Sequence, residues 1–368
     1  MGGAEGDHEH LARILNTHLD NIHDTFQVLS QKPTSRFHER VSWEEVVKIG
    51  DQVSKQATVV GMLWMGQKPQ AKAMEESMTT YFNALQGFLL LSHGSMVGAG
   101  PTLSSNIHEA LKKVVDCSFK LLSTSVHSYG SSSGEEQGAS IPVLVGTVWE
   151  ACSALKKAPA TNITAIGRAM SQVAVTMKDV LREMKELKPA SLDPSNETSD
   201  VSSVKAEGKT QVDDNSSEGD IGNDLSPEEM KVANAAIVVV SDTLTVIKEL
   251  IRAITGLLKM ENSDDSGAFV ESLEKLLKLC QGIGVQIDEL GACLYPPQEV
   301  SAMMVASGKM LTHLNDLQVE VENIKGTSEG LVRACDGIRS SLKRFESDLS
   351  CHRPDDLEGL LQSTTLSD

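Results

Sequence analysis

The sequence predicts an all-α protein: two antiparallel helical bundles, the first of five or six helices and the second of four, joined by an acidic disordered linker. Three observations carry that prediction. Apolar residues recur at three- and four-residue spacing through most of the chain, with no convincing period-two strand, "IPVLVG" at 141–146 being short and ambiguous. Aromatic residues make up 4% of the chain against 40% hydrophobic overall, which suits Leu-, Ile-, Val- and Met-packed helices better than packed sheets. Residues 189–229 hold eleven carboxylates against Lys205 and Lys209 and almost no apolar side chain, so burial there cannot offset the entropy of ordering. The expected domains are 1–188, an N-terminal bundle; 189–226, the linker; 227–350, a C-terminal four-helix bundle; and 351–368, a flexible tail.

After a Gly-rich start, "MGGAEGDHEH", the residues Leu11, Leu15, His18, Ile22 and Leu29 predict a first helix. Trp43, Val46, Val53, Ala57, Val60 and Trp64 predict a second, ended by "GQKP". Met74, Met78, Tyr81, Leu85 and Phe88 predict a third, and Ile107, Leu111, Val114, Leu121 and Leu122 a fourth. The Gly/Ser-rich "YGSSSGEEQG" at 129–138 reads as a loop before a shorter fifth helix around "VLVGTVWEAC". A long sixth helix runs through Ile163, Ile166, Met170, Val173, Met177, Val180, Met184 and Leu187.

Beyond the acidic stretch, "LSPEEM" carries a helix start: Ser226 as N-cap, Pro227 in the first turn, and Glu229 closing a capping box. Four stripes follow. The first is Val240, Leu244, Ile247, Ile251, Ile254 and Leu258. Phe269, Leu273, Leu276, Cys280, Ile283, Ile287, Leu290 and Leu294 make the second. Val300, Met303, Ser307, Met310, Leu314, Leu317, Val321 and Ile324 make the third, and Leu331, Cys335, Ile338, Leu342, Phe345 and Leu349 the fourth. Short connections between such helices imply an up-down bundle. Pro296-Pro297 then reads as a corner, with Tyr295 closing one helix and Pro297 opening the next, because proline disfavours helical backbone before itself and suits a first helical turn.

Composition excludes several functions. A formal charge of −18 opposes direct nucleic-acid binding, which needs Lys or Arg at each phosphate. Six cysteines without a C-x-x-C pair, spread along apolar stretches, predict buried thiols in a reducing compartment. The acidic N-terminus lacks the apolar core of a signal peptide, and runs such as "FLLL" and "AAIVVV" are too short to span a bilayer. A carboxylate-bridged metal site in a bundle needs paired Glu-x-x-His motifs on facing helices, whereas Glu5-Gly6-Asp7-His8 is a single copy expected in the N-terminal tail. His8 and His10 are expected there as solvated side chains. No phosphate-binding glycine loop is present, "GIG" at 282–284 lying inside a helix. No cofactor, metal, membrane or catalytic role is expected, and a monomer is the default because the stripes can satisfy one another. A DNA-binding helix–loop–helix protein needs a basic stretch running into its first helix, and here "DDNSSEGDIGNDLSPEE" occupies that place. A module of this kind, paired with a DNA-binding partner, would form a complex unable to grip DNA.

"IDELGACLYPPQEV" (287–300), then "VASGKML" (305–311), resembles the C-terminal signature of the cyclin-D-binding protein family, also called the GCIP or Maid family. "VGTVWEACSAL" (145–155) resembles that family's Trp-x-Ala-Cys segment. The matching motif positions are Trp149, Ala151, Cys152, Asp288, Leu290, Tyr295, Pro296 and Pro297. The resemblance implies a non-enzymatic regulator of the cell cycle and of transcription, in cytoplasm and nucleus, with D-type cyclins and helix–loop–helix transcription factors as partners and a dominant-negative effect on the latter. Tandem antiparallel bundles also resemble the vinculin and talin rod class, so a structural adaptor is the alternative. Two serines of the acidic stretch, Ser217 and Ser226, carry minimal acidophilic and proline-directed kinase patterns. Phosphate on Ser226 is expected to strengthen its helix start.

Overall fold

The computed structural model describes residues 2–29, 40–65, 68–130, 140–189, 224–257, 267–324 and 329–351. Their helices are α1 (Gly2–Leu29), α2 (Trp43–Leu63), α3 (Ala71–Ser95), α4 (Pro101–Gly130), α5 (Ile141–Ala154), α6 (Asn162–Glu186), α7 (Pro227–Gly256), α8 (Gly267–Ala292), α9 (Val300–Asn323) and α10 (Glu329–Ser350). A one-turn 3₁₀ segment, Leu155–Lys157, follows α5. The all-α expectation holds for the described residues apart from one feature that periodicity could not reveal. β1 (Lys188–Pro189) and β2 (Asp224–Leu225) pair in parallel, each two residues long and so too short for an alternating pattern. Of the loop expected at 129–138, Tyr129 and Gly130 instead end α4, and the rest lies outside the described residues, as do the acidic run 190–223, with Ser217, and the tail from residue 352.

The chain divides into two compact units, residues 1–168 with 258–274, and residues 169–257 with 275–368. The acidic stretch places the first boundary expected from sequence at 188, whereas the compact units divide α6 after Arg168.

In the first unit the packed pairs α3–α2, α2–α5, α5–α4, α4–α1 and α1–α3 close a ring of five helices around one core. Tyr81, Leu85, Phe88, Leu103, Leu121 and Val148 are fully buried in it. The buried Tyr81 hydroxyl donates to Ser118 Oγ (2.9 Å), and Ser118 Oγ in turn donates to the Val114 carbonyl (2.7 Å), so the phenol is satisfied. Burial raises its pKa well above the ordinary tyrosine value. The start of α4 is held by side chains distant in sequence. Gly100 N–H donates to Asn162 Oδ1 (2.7 Å), and Thr102 donates through its N–H (2.8 Å) and its hydroxyl (2.7 Å) to the Glu274 carboxylate. These bonds satisfy donors that the first helical turn leaves unpaired. Contrary to the expected tail, residues from Gly2 onward are helical, and the His8 ring lies against Gly130 so closely that an added Cβ there would meet it at 2.5 Å. His10 Nε2 contacts Glu75 at 3.3 Å.

The second unit is a bundle whose ion pairs and hydrogen bonds give its directions. Lys231–Asp348 (3.0 Å) ties the start of α7 to the end of α10. Ser307 donates to Glu346 (2.8 Å), and Arg339 to Asn315 (3.1 Å), so α9 and α10 are antiparallel. Lys275–Glu320 (2.6 Å) and the close approach of Gly282 to His313 make α8 and α9 antiparallel as well. These four are the expected up-down bundle, and the stripes of α8, α9 and α10 are its buried faces. In α7 the stripe positions Val240, Ile247 and Ile254 are buried as expected, while Leu244 and Ile251 are half-buried and their neighbours Thr243 and Leu250 are buried instead; Leu258 lies outside the described residues. Thr243 is accommodated in the core because its hydroxyl donates to the Val239 carbonyl (2.8 Å), leaving a methyl group to pack. α7 also has the length and composition to cross a membrane, with an 18-residue window of mean hydropathy 1.6, which the separate short runs did not reveal. In the fold its apolar face packs mainly on α10.

A fifth helix completes this unit. The second part of α6 lies along α8 and parallel to it, Val173 facing Gly284 and Val180 facing Gly291. A Cβ on Gly291 would meet Val180 Cγ1 at 2.8 Å, so glycine is what allows the two backbones to approach.

Candidate functional site

The Tyr-Pro-Pro stretch is a corner, as its prolines predict, but it is built differently in detail. α8 ends at Ala292, and α9 begins at Val300 with Glu299 as N-cap, so Pro297 stands in the turn rather than opening the helix. The Pro296-Pro297 peptide bond is cis. Glu299 N–H donates to the Cys293 carbonyl (3.2 Å) and closes the turn. Gln298 Nε2 donates both to the Leu294 carbonyl (3.2 Å) and to the Glu229 carbonyl (3.1 Å), fastening the corner to the first turn of α7.

That first turn is the capping box expected from "SPEE". Ser226 Oγ accepts from Glu229 N–H (3.2 Å), and Ser226 N–H donates to the Glu229 carboxylate (2.9 Å). The backbone N–H of Ser226 holds the Glu229 pKa below the ordinary glutamate value, against a smaller opposing effect of burial.

Beside the corner, the ends of α6 and α8 enclose a cavity of about 300 Å³. Val180, Met184 and Leu187 supply the α6 side, and Gly291 and Ala292 the α8 side. Glu183 on α6 and Asp288 on α8 also line it, and Tyr295, 41% exposed, completes it. Burial raises the Asp288 pKa above the ordinary aspartate value. Among the described residues neither Glu183 nor Asp288 has a hydrogen bond or an ion pair.

Two of the motif positions, Asp288 and Tyr295, therefore share a concave surface. Leu290, between them in sequence, is fully buried in the bundle core. Pro296 is half-buried and Pro297 exposed at the corner. The Trp-x-Ala-Cys positions belong to the other unit. There Val148, Ala151, Cys152 and Leu155 are core residues at helical spacing, and burial pushes the Cys152 thiol up to about 12. Trp149 points outward, 46% exposed, its indole N–H donating to Thr58 Oγ1 (3.1 Å). The α6 contributions to the cavity were in view only as an apolar stripe. Gly284 and Gly291, seven residues apart on one face of α8, were the sequence signal that another helix approaches there.

Among the described residues no group of three or more His, Cys, Asp or Glu side chains is gathered as a metal site would need. His18 is half-buried, stacked on Phe82 at 4.7 Å between ring centroids, and burial lowers its pKa.

Comparison with known proteins matches two stretches of the chain, in order. Residues 45–190 match the family model described as Grap2 and cyclin-D-interacting, N-terminal, and residues 210–319 match its C-terminal counterpart. A curated relative from Xenopus laevis, described as cyclin-D1-binding protein 1 homolog, is 21% identical over 271 residues, which is 73% of this chain and 76% of the relative.

Proposed function

The chain belongs to the Grap2 and cyclin-D-interacting family, and from that premise we propose a regulatory binding protein, without catalysis of its own, whose partner is a D-type cyclin. The observation that carries this reading is the match of both parts of the chain, in order, to the paired family models, together with a relative whose description names cyclin D1. Chemistry at the described sites is in keeping with binding rather than turnover. Burial pushes the Cys152 and Cys280 thiols to about 12, far from the thiolate a nucleophile requires. Among the described residues Trp149 and Tyr295 present half-exposed aromatic rings, which suit protein contacts. Family membership favours this regulator over a structural adaptor of tandem bundles.

The finer part of the proposal concerns helix–loop–helix transcription factors. α7 and α8 form the pair that would engage such a partner, and α7 is entered by Glu228 and Glu229 rather than by a basic stretch. The resulting heterodimer would lack half of its phosphate-neutralising charge and would act as a dominant negative. Because α7 buries its apolar face in its own bundle, such pairing requires the bundle to open. A monomer acting in cytoplasm and nucleus completes the reading.

Calorimetric titration of the full chain with a purified D-type cyclin is the test. Micromolar or tighter binding is expected. No heat of binding from folded protein and folded cyclin would overturn the cyclin proposal, and co-sedimentation with filamentous actin in its place would return the adaptor reading.

A further inference from the structure

We propose that the groove between the ends of α6 and α8 receives an arginine side chain, carried on an apolar segment of a partner protein. Its volume of about 300 Å³ is at the small end for ligand pockets and suits a side chain rather than a cofactor. The lining divides by chemistry. Val180, Met184 and Leu187 offer an apolar wall for a methylene stem. Glu183 and Asp288 bring one carboxylate from each helix, and no lysine or arginine lines the groove to neutralise them. Neither has a partner among the described residues, and burial already penalises the Asp288 charge. A cation entering here pairs with a carboxylate from each helix.

Three further points select arginine. Tyr295 presents a half-exposed ring at the same groove, and a guanidinium stacks on an aromatic face while its fork of donors reaches carboxylates. A bare divalent cation would find two carboxylates and an apolar wall, well short of the six to eight oxygens calcium takes. The chain's own segment 190–223 holds two lysines, Lys205 and Lys209, and no arginine.

The inference is independent of the cyclin reading, because it concerns what the groove recognises rather than which protein supplies it. The test uses the full chain with 13C-labelled methionine methyl groups, Met184 being assigned by comparison with M184L. Acetyl-Leu-Arg-Leu-amide is titrated in, beside its twin with citrulline, which keeps the shape of arginine and removes the charge. The expected result is a saturable shift of the Met184 methyl resonance with the arginine peptide, weakened about tenfold for the citrulline peptide and for an E183Q/D288N chain, the loss of about 1.4 kcal/mol of charge-assisted contact. Both substituted residues are exposed, so the variant keeps its fold, checked by its helical circular dichroism. Equal response to the two peptides would overturn the proposal, leaving an apolar groove only. So would an unmoved Met184 resonance at millimolar peptide, or undiminished binding by E183Q/D288N. A chain that binds the peptide and no cyclin would sink the cyclin reading alone.

Discussion

Replacing Gly291 with alanine sets two effects of known size against each other. In a helix interior alanine is preferred to glycine by about 1 kcal/mol. Gly308 in α9 and Gly337 in α10 have nothing within 4 Å of an added Cβ, so G308A and G337A are expected to stabilise by about 0.5–1 kcal/mol. At Gly291 the new methyl would stand 2.8 Å from Val180 Cγ1, where ordinary contact begins near 3.4 Å. Valine is stiff at χ1, so the strain falls on the spacing of α6 and α8, and overpacking of this kind costs about 1–3 kcal/mol. G291A should therefore be less stable than G308A by at least about 1–3 kcal/mol, since Gly291, next to last in α8, also gains less helix propensity than Gly308 in the middle of α9. Urea unfolding followed by circular dichroism at 222 nm measures it, a change of 1 kcal/mol moving the midpoint by about 0.3–1 M. Trp43, Trp64 and Trp149 all belong to the first unit, so their fluorescence in the same samples reports on the other bundle. Adding V180A to G291A removes the clashing methyl and should recover part of the loss, a favourable coupling in a double-mutant cycle. Stabilisation of G291A equal to that of G308A, or strict additivity with V180A, would refute the close parallel packing of α6 on α8.

Other expectations follow from the caps and the thiols. S226A removes the acceptor of Glu229 N–H and should cost about 1 kcal/mol in urea melts. Phosphate on Ser226 would stand beside Glu228 and the carboxylate already seated on the Ser226 N–H, so the strengthened helix start expected from sequence should become a weakened one, read as lost helicity in the phosphorylated chain. Because the Glu229 pKa is lowered on folding, its contribution is present above the ordinary glutamate value and lost as pH falls through the lowered one, and E229Q should flatten that part of the stability–pH curve. E274A strands the N–H and hydroxyl of Thr102 and should cost about 1–3 kcal/mol, visible in tryptophan fluorescence during denaturation. All six cysteines are free, and a thiol reagent should label the exposed Cys351 first, with Cys280, fully buried and raised to about 12, reacting only on unfolding.

Where a single face meets a single core, this fold was legible from residue spacing. Every residue of the α10 stripe is buried, and the stripes of α8 and α9 are buried except at their ends, where Phe269, Val300 and Ile324 are half-buried. In α7 the stripe departs at Leu244 and Ile251, and Thr243 goes unnoticed because threonine counts as polar until its hydroxyl is seen bonded to its own helix. The start of α1 was misread because glycines at a chain end suggest frayed backbone, whereas the His8 ring gives that turn a packing partner. What α6 does beyond Arg168 was hidden because its stripe says only that one face is apolar, not which helix covers it. The groove was half legible. Asp288 and Tyr295 stood out through family resemblance, while Glu183 and Met184 acquire meaning only when α6 is laid beside α8.

The pairing of Lys188–Pro189 with Asp224–Leu225 changes how the long acidic stretch can be handled. Its two ends are side by side within one unit, so in engineering terms 190–223 is an insertion port rather than a hinge. Closing a longer loop across fixed ends adds only about 0.6 kcal/mol for each doubling of its length. A reporter domain with adjacent termini could be spliced there with little strain, and its position would be set by the second bundle alone.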